Sequence, residues 1–157
     1  MKSKAKVVVI GGGVVGVSTL YHLAKKGWSD VVLCERKELT SGSTWHAAGL
    51  MPLFNMSYSV GQIHKYSVKF YQELEKETGQ DVGFREVSNI RLAENQDRMD
   101  EYRQYAGVAE TIGVKVNFLT PEEIQKAWPL CSIDGLVGAI QHPEDGYIQP
   151  NDLTQAL

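Results

Sequence analysis

The side chains best suited to chemistry stand together in one stretch: Ser41, Gly42, Ser43, Thr44, Trp45, His46, Ala47, Ala48, Gly49 and Leu50. It combines three hydroxyls, one imidazole and a run of small residues. Hydroxyls and backbone N–H groups in such a loop can donate to phosphate and sugar oxygens. Ala47, Ala48 and Gly49 leave a thin wall against which a planar ring can lie. Imidazole offers an unprotonated nitrogen near neutral pH, so His46 can attack an electrophilic carbon as well as hydrogen-bond. A loop histidine that only hydrogen-bonds is the commoner case, and the residues alone leave that open.

Upstream lies Gly11-Gly12-Gly13-Val14-Val15-Gly16, directly after the apolar run Val7-Val8-Val9-Ile10. In the G-x-G-x-x-G pattern Gly11 permits a tight strand-to-helix turn. Gly13 lets backbone approach a pyrophosphate, and Gly16 allows close helix–strand packing. The phosphates would sit at the positive end of the helix that Val14 and Val15 begin. Glu35 stands 19 positions past Gly16, at the end of the next apolar run and followed by Arg36. A carboxylate there suits ribose hydroxyls. The pattern predicts a dinucleotide site, and the following loop selects FAD over NAD. From Glu35 to His46 is 11 positions, a reach of up to roughly 36 Å, enough to follow an extended dinucleotide to its flavin. Ser41, Ser43 and Thr44 would bind the pyrophosphate and ribityl chain. His46 would meet the edge of the ring, where the 8α-methyl carbon is the electrophile.

Composition narrows the class. The chain has 157 residues, 43% hydrophobic and 22% charged, ordinary for a globular protein. A net charge of −3 favours neither a phosphate backbone nor an anionic membrane surface, so nucleic-acid and membrane partners are not expected. Cys34 and Cys131 are the only cysteines and are expected as buried thiols rather than a disulfide. No H-E-x-x-H or cysteine cluster supports a metal site. Asn55-Met56-Ser57 fits the glycosylation sequon, but the pattern is short and common and stands in no secretory context. The N-terminus Met1-Lys2-Ser3-Lys4-Ala5-Lys6 lacks the features of a signal or transit peptide, and no stretch has transmembrane length. The expectation is a cytoplasmic, bacterial protein, or a mitochondrial-matrix one if a presequence was removed.

Positioning these groups requires a βαβ unit. A strand over residues 6–10, a helix to about Lys26 with Val17, Leu20, Leu23 and Ala24 on its buried stripe, and a strand Val31–Cys34 supply it. The strands are expected to be buried on both faces. Beyond the loop, the spacing predicts a helix from Val60 to about Thr78, burying Ile63, Tyr66, Phe70 and Leu74. A strand over Phe84–Ala93 follows, then a helix from Asn95 to Ile112 with Met99, Tyr102, Ala106 and Ala109 on one face, and a strand Val114–Leu119. Thr120-Pro121-Glu122-Glu123 is a capping-box start for a helix that ends near Trp128. A strand Leu136–Gln141, a turn at Gly146 and a helix from about Asn151 complete the chain. His22, His64 and His142 are read as structural or exposed.

The fold class is therefore α/β. A Rossmann-like, FAD-binding βαβ unit (residues 1–50) precedes part of a mixed, mainly antiparallel substrate-domain sheet (51–145). A return to the first domain follows (146–157), and the domain is expected to be incomplete, with too few strands to cover its sheet.

Four runs carry a family resemblance: V-V-V-I-G-G-G-V-V-G, C-E-R-K-E-L-T-S-G-S-T-W-H-A-A-G-L, N-I-R-L-A and D-G-Y-I-Q-P. On these, residues 7–157 resemble the N-terminal portion of the dimethylglycine and sarcosine dehydrogenase family, which has a D-amino-acid-oxidase-like fold. The second run is highly specific; the first is shared by most two-dinucleotide flavoproteins. The resemblance implies an FAD-dependent oxidoreductase acting on the N-methyl group of dimethylglycine or sarcosine, with the flavin joined to His46. It also implies FAD contacts at Val14, Val15, Glu35, Arg36 and from Gly42 to Leu50. Tetrahydrofolate would bind, if at all, through a region outside these residues, as would the catalytic base and the substrate clamp; the electron acceptor is not indicated. Two alternatives stay open: a truncated or regulatory homologue without turnover, and another amino-acid oxidase with noncovalent FAD. A related regulatory subunit of pyruvate dehydrogenase phosphatase lacks the matching histidine, so His46 speaks for an enzyme.

Overall fold

The computed structural model describes residues 3–157. The chain forms two compact units. Unit 1 comprises residues up to Leu50 with Phe70–Phe84 and Ile148–Leu157; unit 2 comprises Met51–Lys69 and Arg85–Tyr147. Residues 70–84 thus group with the first unit, and residues 146–147 with the second.

Unit 1 is built on β1 (Val7–Ile10) and β2 (Val31–Cys34), parallel and in register from Val7↔Val31 to Ile10↔Cys34. Between them runs α1 (Val14–Lys25), which packs on both strands. Gly16 explains the close fit, because a Cβ there would overlap the Gly11 carbonyl oxygen. Gly27, in the left-handed region at φ 83°, turns the chain out of the helix. The strands are not buried on both faces, in line with the expected shortage of covering strands: α1 covers one face only, leaving Val8 exposed and Ile10 87% exposed. For the same reason Val17 alone is fully buried on α1, with Leu20 and Leu23 half-buried and Ala24 exposed. A narrow two-stranded sheet cannot cover a wide helix stripe. The unit also holds α5 (Pro150–Ala156), started by Pro150 and burying Leu153, Thr154 and Ala156.

Unit 2 centres on β5 (Asn89–Ala93), β6 (Asn117–Leu119) and β7 (Gly138–His142), an antiparallel sheet of order β5-β7-β6. The register runs from Asn89↔His142 to Ala93↔Gly138. Against it pack α3 (Gln96–Ile112) and α4 (Pro121–Ala127). Asn95 caps α3 by accepting the Arg98 N–H at 2.9 Å. The capping box of α4 forms as expected, Thr120 and Glu123 accepting each other's backbone N–H. Met99, Tyr102, Tyr105, Ala109 and Ile112 bury one side of α3. The strand expected over residues 84–93 is interrupted at Val87 and Ser88, where Ser88 adopts φ 70°. A two-residue strand, β3 (Leu50–Met51), comes earlier in the chain, and the first part of the interrupted run is the separate β4 (Arg85–Glu86), paired antiparallel with β8 (Gly146–Tyr147). Gly146 therefore lies in a strand, not in a turn; the turn precedes it.

The helix α2 (Tyr58–Thr78) buries only part of the predicted stripe. Leu74 is buried and Phe70 half-buried as expected, but Ile63 and Tyr66 are exposed, and Gly61 and Val68 are buried in their place. A Cβ on Gly61 would overlap Ile112, so the absent side chain is what admits that isoleucine. Cys34 is exposed and Cys131 half-buried, both as free thiols, against the expectation of burial. Among the described residues no helix is long and apolar enough to cross a membrane.

The interior of unit 2 holds an imidazole and a carboxyl almost wholly removed from solvent, His142 at 0% and Asp145 at 1% exposure. His142 Nε2 lies 3.1 Å from the Tyr105 hydroxyl. Asp145 Oδ1 accepts the Leu53 N–H at 2.8 Å, and its backbone carbonyl accepts from Val87 and Ser88. Burial pushes the Asp145 carboxyl up to about 6, against smaller downward pulls from the Leu53 bond and Arg91. Burial also pushes His142 down to about 4, with Arg91 adding to the effect. Their contributions to stability run in opposite senses. The Asp145 contribution is lost as pH rises from its ordinary value toward 6, and the His142 contribution is lost as pH falls from its ordinary value toward 4. Asp145→Asn abolishes the first and leaves the second. The unfolding free energy of Asp145→Asn relative to wild type should therefore rise by about 2–3 kcal/mol between pH 4 and pH 6.5. Denaturant titrations across that range check this; parallel profiles would show that burial does not set the Asp145 charge.

Candidate functional site

The glycine turn, the end of β2 and the following loop enclose a cleft of about 540 Å3 in unit 1. Local conformation explains why the chain opens there. Gly11 adopts φ 108°, which favours glycine, and a Cβ on it would meet nothing within 4 Å. A Cβ on Gly42 would likewise meet nothing within 4 Å, so two of the lining positions carry no side chain that could narrow the cleft. Gly13, Val14 and Val15 bring the start of α1 to the wall, where N–H groups without intrahelical acceptors carry the positive end of the helix dipole.

Glu35 holds this turn in place. Its Oε2 accepts the Gly12 N–H at 2.7 Å and its Oε1 accepts the Lys37 N–H at 2.9 Å. Those two bonds, the Gly12 bond first, hold its carboxyl below the usual range, with Arg36 adding a smaller pull. Each carboxylate oxygen still has acceptor capacity for a sugar hydroxyl. On its other side Gly12 offers its carbonyl to the Thr40 N–H at 2.9 Å.

The loop then turns through a short 3-10 helix, Ser43–His46. Thr44 is buried under it and accepts the Val14 N–H at 3.0 Å. His46 is exposed, its Nδ1 3.0 Å from the Gly42 carbonyl oxygen. Since a carbonyl only accepts, this contact puts the ring proton on Nδ1 and the lone pair on Nε2. The Trp45 ring lies 4.4 Å from the imidazole, centroid to centroid, tilted by 49°.

Of the residues singled out from sequence, Gly11, Gly13, Val14, Val15, Glu35, Arg36, Gly42, Ser43, Thr44 and Ala47 line the cleft, with Ser41 beside them. Gly16 packs against Gly11 instead. Trp45, His46, Ala48 and Leu50 are exposed just beyond the lining. Gly49, at φ 73°, is where the loop leaves: its carbonyl accepts the Ile148 N–H at 2.8 Å, and a Cβ would overlap the Ile148 carbonyl oxygen. Sequence reasoning missed Lys37, Gly12 and Thr40. The basic Lys37 beside Arg36 was a visible signal; the backbone roles of Gly12 and of Thr40, at φ 69°, had none.

The other histidines lie elsewhere. His22 Nδ1 faces the Ser18 carbonyl at 2.8 Å on α1, and His64 Nδ1 the Pro52 carbonyl at 3.0 Å in unit 2. Among the described residues no three His, Cys, Asp or Glu side chains gather as a metal-binding group.

The geometry has counterparts in known proteins. Dimethylglycine dehydrogenase from Rattus norvegicus, a mitochondrial protein, is 46% identical over 156 residues, 99% of this chain and 18% of that protein. Human mitochondrial sarcosine dehydrogenase is 40% identical over 151 residues, 96% of this chain and 16% of that protein. This chain thus spans less than a fifth of the length of these curated relatives. Among solved structures, L-proline dehydrogenase from P. horikoshii superposes with a TM-score of 0.92 at 28% identity, covering 99% of this chain and 41% of that one. The family model for FAD dependent oxidoreductases matches residues 6–157. With that match over nearly its whole length, and with a glycine turn, a strand-end carboxylate and a hydroxyl-rich loop around one cleft, the chain belongs to the FAD dependent oxidoreductase family.

Proposed function

We propose that the cleft of unit 1 binds FAD and that the protein oxidises the N-methyl group of a methylated glycine, dimethylglycine or sarcosine. The observation that carries this reading is the convergence of Gly11, Gly13, Glu35 and the Gly42–Ala47 loop on one cleft. It is supported by similarity to two dehydrogenases named for those amines.

The residues suit the group. Open space at Gly11 and Gly42 admits a bulky anion, and the α1 terminus with Ser41 and Ser43 supplies donors for phosphate. Glu35 supplies the acceptor for ribose hydroxyls, and Arg36 and Lys37 add positive charge beside the phosphates. When bound, FAD supplies the redox chemistry by accepting a hydride equivalent from a carbon next to the amine nitrogen. This chain's own part is to fix the cofactor and the histidine. The Gly42 carbonyl holds the His46 proton on Nδ1, which leaves Nε2 as the nucleophile that would join the 8α-methyl carbon of a bound flavin, that carbon giving up a proton and the ring taking up the electron pair. Trp45 restricts the imidazole from one side.

The attachment is tested by precipitating the protein in acid and washing it. Wild-type polypeptide should keep its yellow colour, and His46→Ala should release the flavin to the supernatant. Colour lost equally from both would leave a noncovalent amino-acid oxidase. A second outcome concerns the nucleotide end. Glu35→Ala removes a charged acceptor and frees the Gly12 N–H, so FAD binding in the His46→Ala background should weaken by about 1–3 kcal/mol. Unchanged affinity in a flavin-fluorescence titration would show that the carboxylate takes no part in the site.

A further inference from the structure

The helix α1 begins without a cap of its own. Its N-cap residue is Gly13, which makes no side-chain bond, and the first N–H groups of a helix have no intrahelical acceptor. The acceptor for Val14 comes from 30 positions along the chain, as Thr44 Oγ1 at 3.0 Å. A Cβ on Gly13 would stand 2.9 Å from the same oxygen, so this hydroxyl is fitted closely against the turn. Thr44 is the buried member of its 3-10 turn, while Ser43, Trp45 and His46 face outward. The turn is closed on itself by Ala47 N–H to the Thr44 carbonyl at 3.1 Å.

We propose that Thr44 is a positioning residue whose hydroxyl caps α1 from the distant loop and thereby fixes the turn that presents His46 before any cofactor binds. An ordinary N-cap serine or threonine precedes its helix and orders only that helix. Here the cap and the helix are far apart in sequence, so the same bond orders the loop as well. The hydroxyl keeps its own proton, which remains free for an anion at the helix terminus. The cap stands on geometry alone; only its consequence for attachment rests on reading the cleft as an FAD site.

Hydrogen exchange of the full chain prepared without flavin tests the cap directly. Thr44→Val keeps the shape and removes the acceptor, and should speed exchange in residues 40–47 by about fivefold to tenfold, the size expected for losing a helix cap. Thr44→Ser should exchange as wild type, and α3 in unit 2 should be unchanged in both variants. On adding FAD, acid-stable colour should form more slowly in Thr44→Val by a similar factor and at the normal rate in Thr44→Ser. Wild-type exchange in Thr44→Val, failure of Ser to restore it, or equal acceleration in α3 would each overturn the proposal. A wild type that never forms acid-stable colour would overturn the attachment reading instead, with the exchange comparison still deciding the role of Thr44.

Discussion

The bond between the Glu35 carboxylate and the Gly12 N–H, 2.7 Å long, fixes the relation between the end of β2 and the turn that opens α1. A hydrogen bond to an ionised carboxylate is about twice as strong as a neutral one, and this carboxylate also takes the Lys37 N–H. With the Gly12 carbonyl engaged by Thr40, both polar groups of one glycine are occupied from opposite directions. The glycine turn is then neither a free loop nor a ligand-dependent one. The glycine turn, the end of β2 and the start of the loop at Thr40 are thereby tied together at one residue.

Unit 2 follows a different logic. Its sheet and α3 enclose an apolar core, yet polar groups at the end of β7 hold the segments around it. Asp145 holds two stretches that are remote from it in sequence: Leu53 through its carboxylate, and Val87 with Ser88 through its carbonyl. The Phe54 ring lies 4.0 Å from that of Tyr105 and beneath the Arg91 guanidinium at 4.1 Å. Burying a carboxyl this deeply costs stability unless it is hydrogen-bonded, so Asp145 specifies one arrangement of those segments more than it strengthens the unit. None of these groups lines the unit 1 cleft, which separates the demands of folding in unit 2 from those of cofactor binding.

What could be read from the sequence was what local spacing encodes. The glycine turn, the strand-end carboxylate, the hydroxyl loop and the Thr120 capping box each reflect backbone geometry set within a few residues, and each appears where expected. The face of α2 was legible only at Leu74 and in part at Phe70, because Gly61 and Val68 belong to one unit and Leu74 to the other, so its buried positions follow no single stripe. The exposure of Ile10 follows from the shortage of strands that the sequence already implies, because a parallel strand is covered only by neighbouring layers. At the site, the misses are backbone-mediated. Thr40 reaches Gly12 by its N–H, and Glu35 serves the turn itself, an arrangement invisible when side chains are matched only to a ligand.

The interruption at Ser88 has a consequence for how the molecule behaves in company. A left-handed φ costs a non-glycine residue about 1–2 kcal/mol, and here the Asp145 carbonyl holds the strained residue by its N–H at 2.8 Å. The alternating run that would otherwise form one long ribbon is cut into β4 and β5, which pair with different partners, β8 and β7. Long flat strand edges act as templates for neighbouring chains, and bends or interruptions blunt them. The strain at Ser88 thus shortens the stretch open to runaway strand addition, a form of colloidal protection written into one dihedral angle.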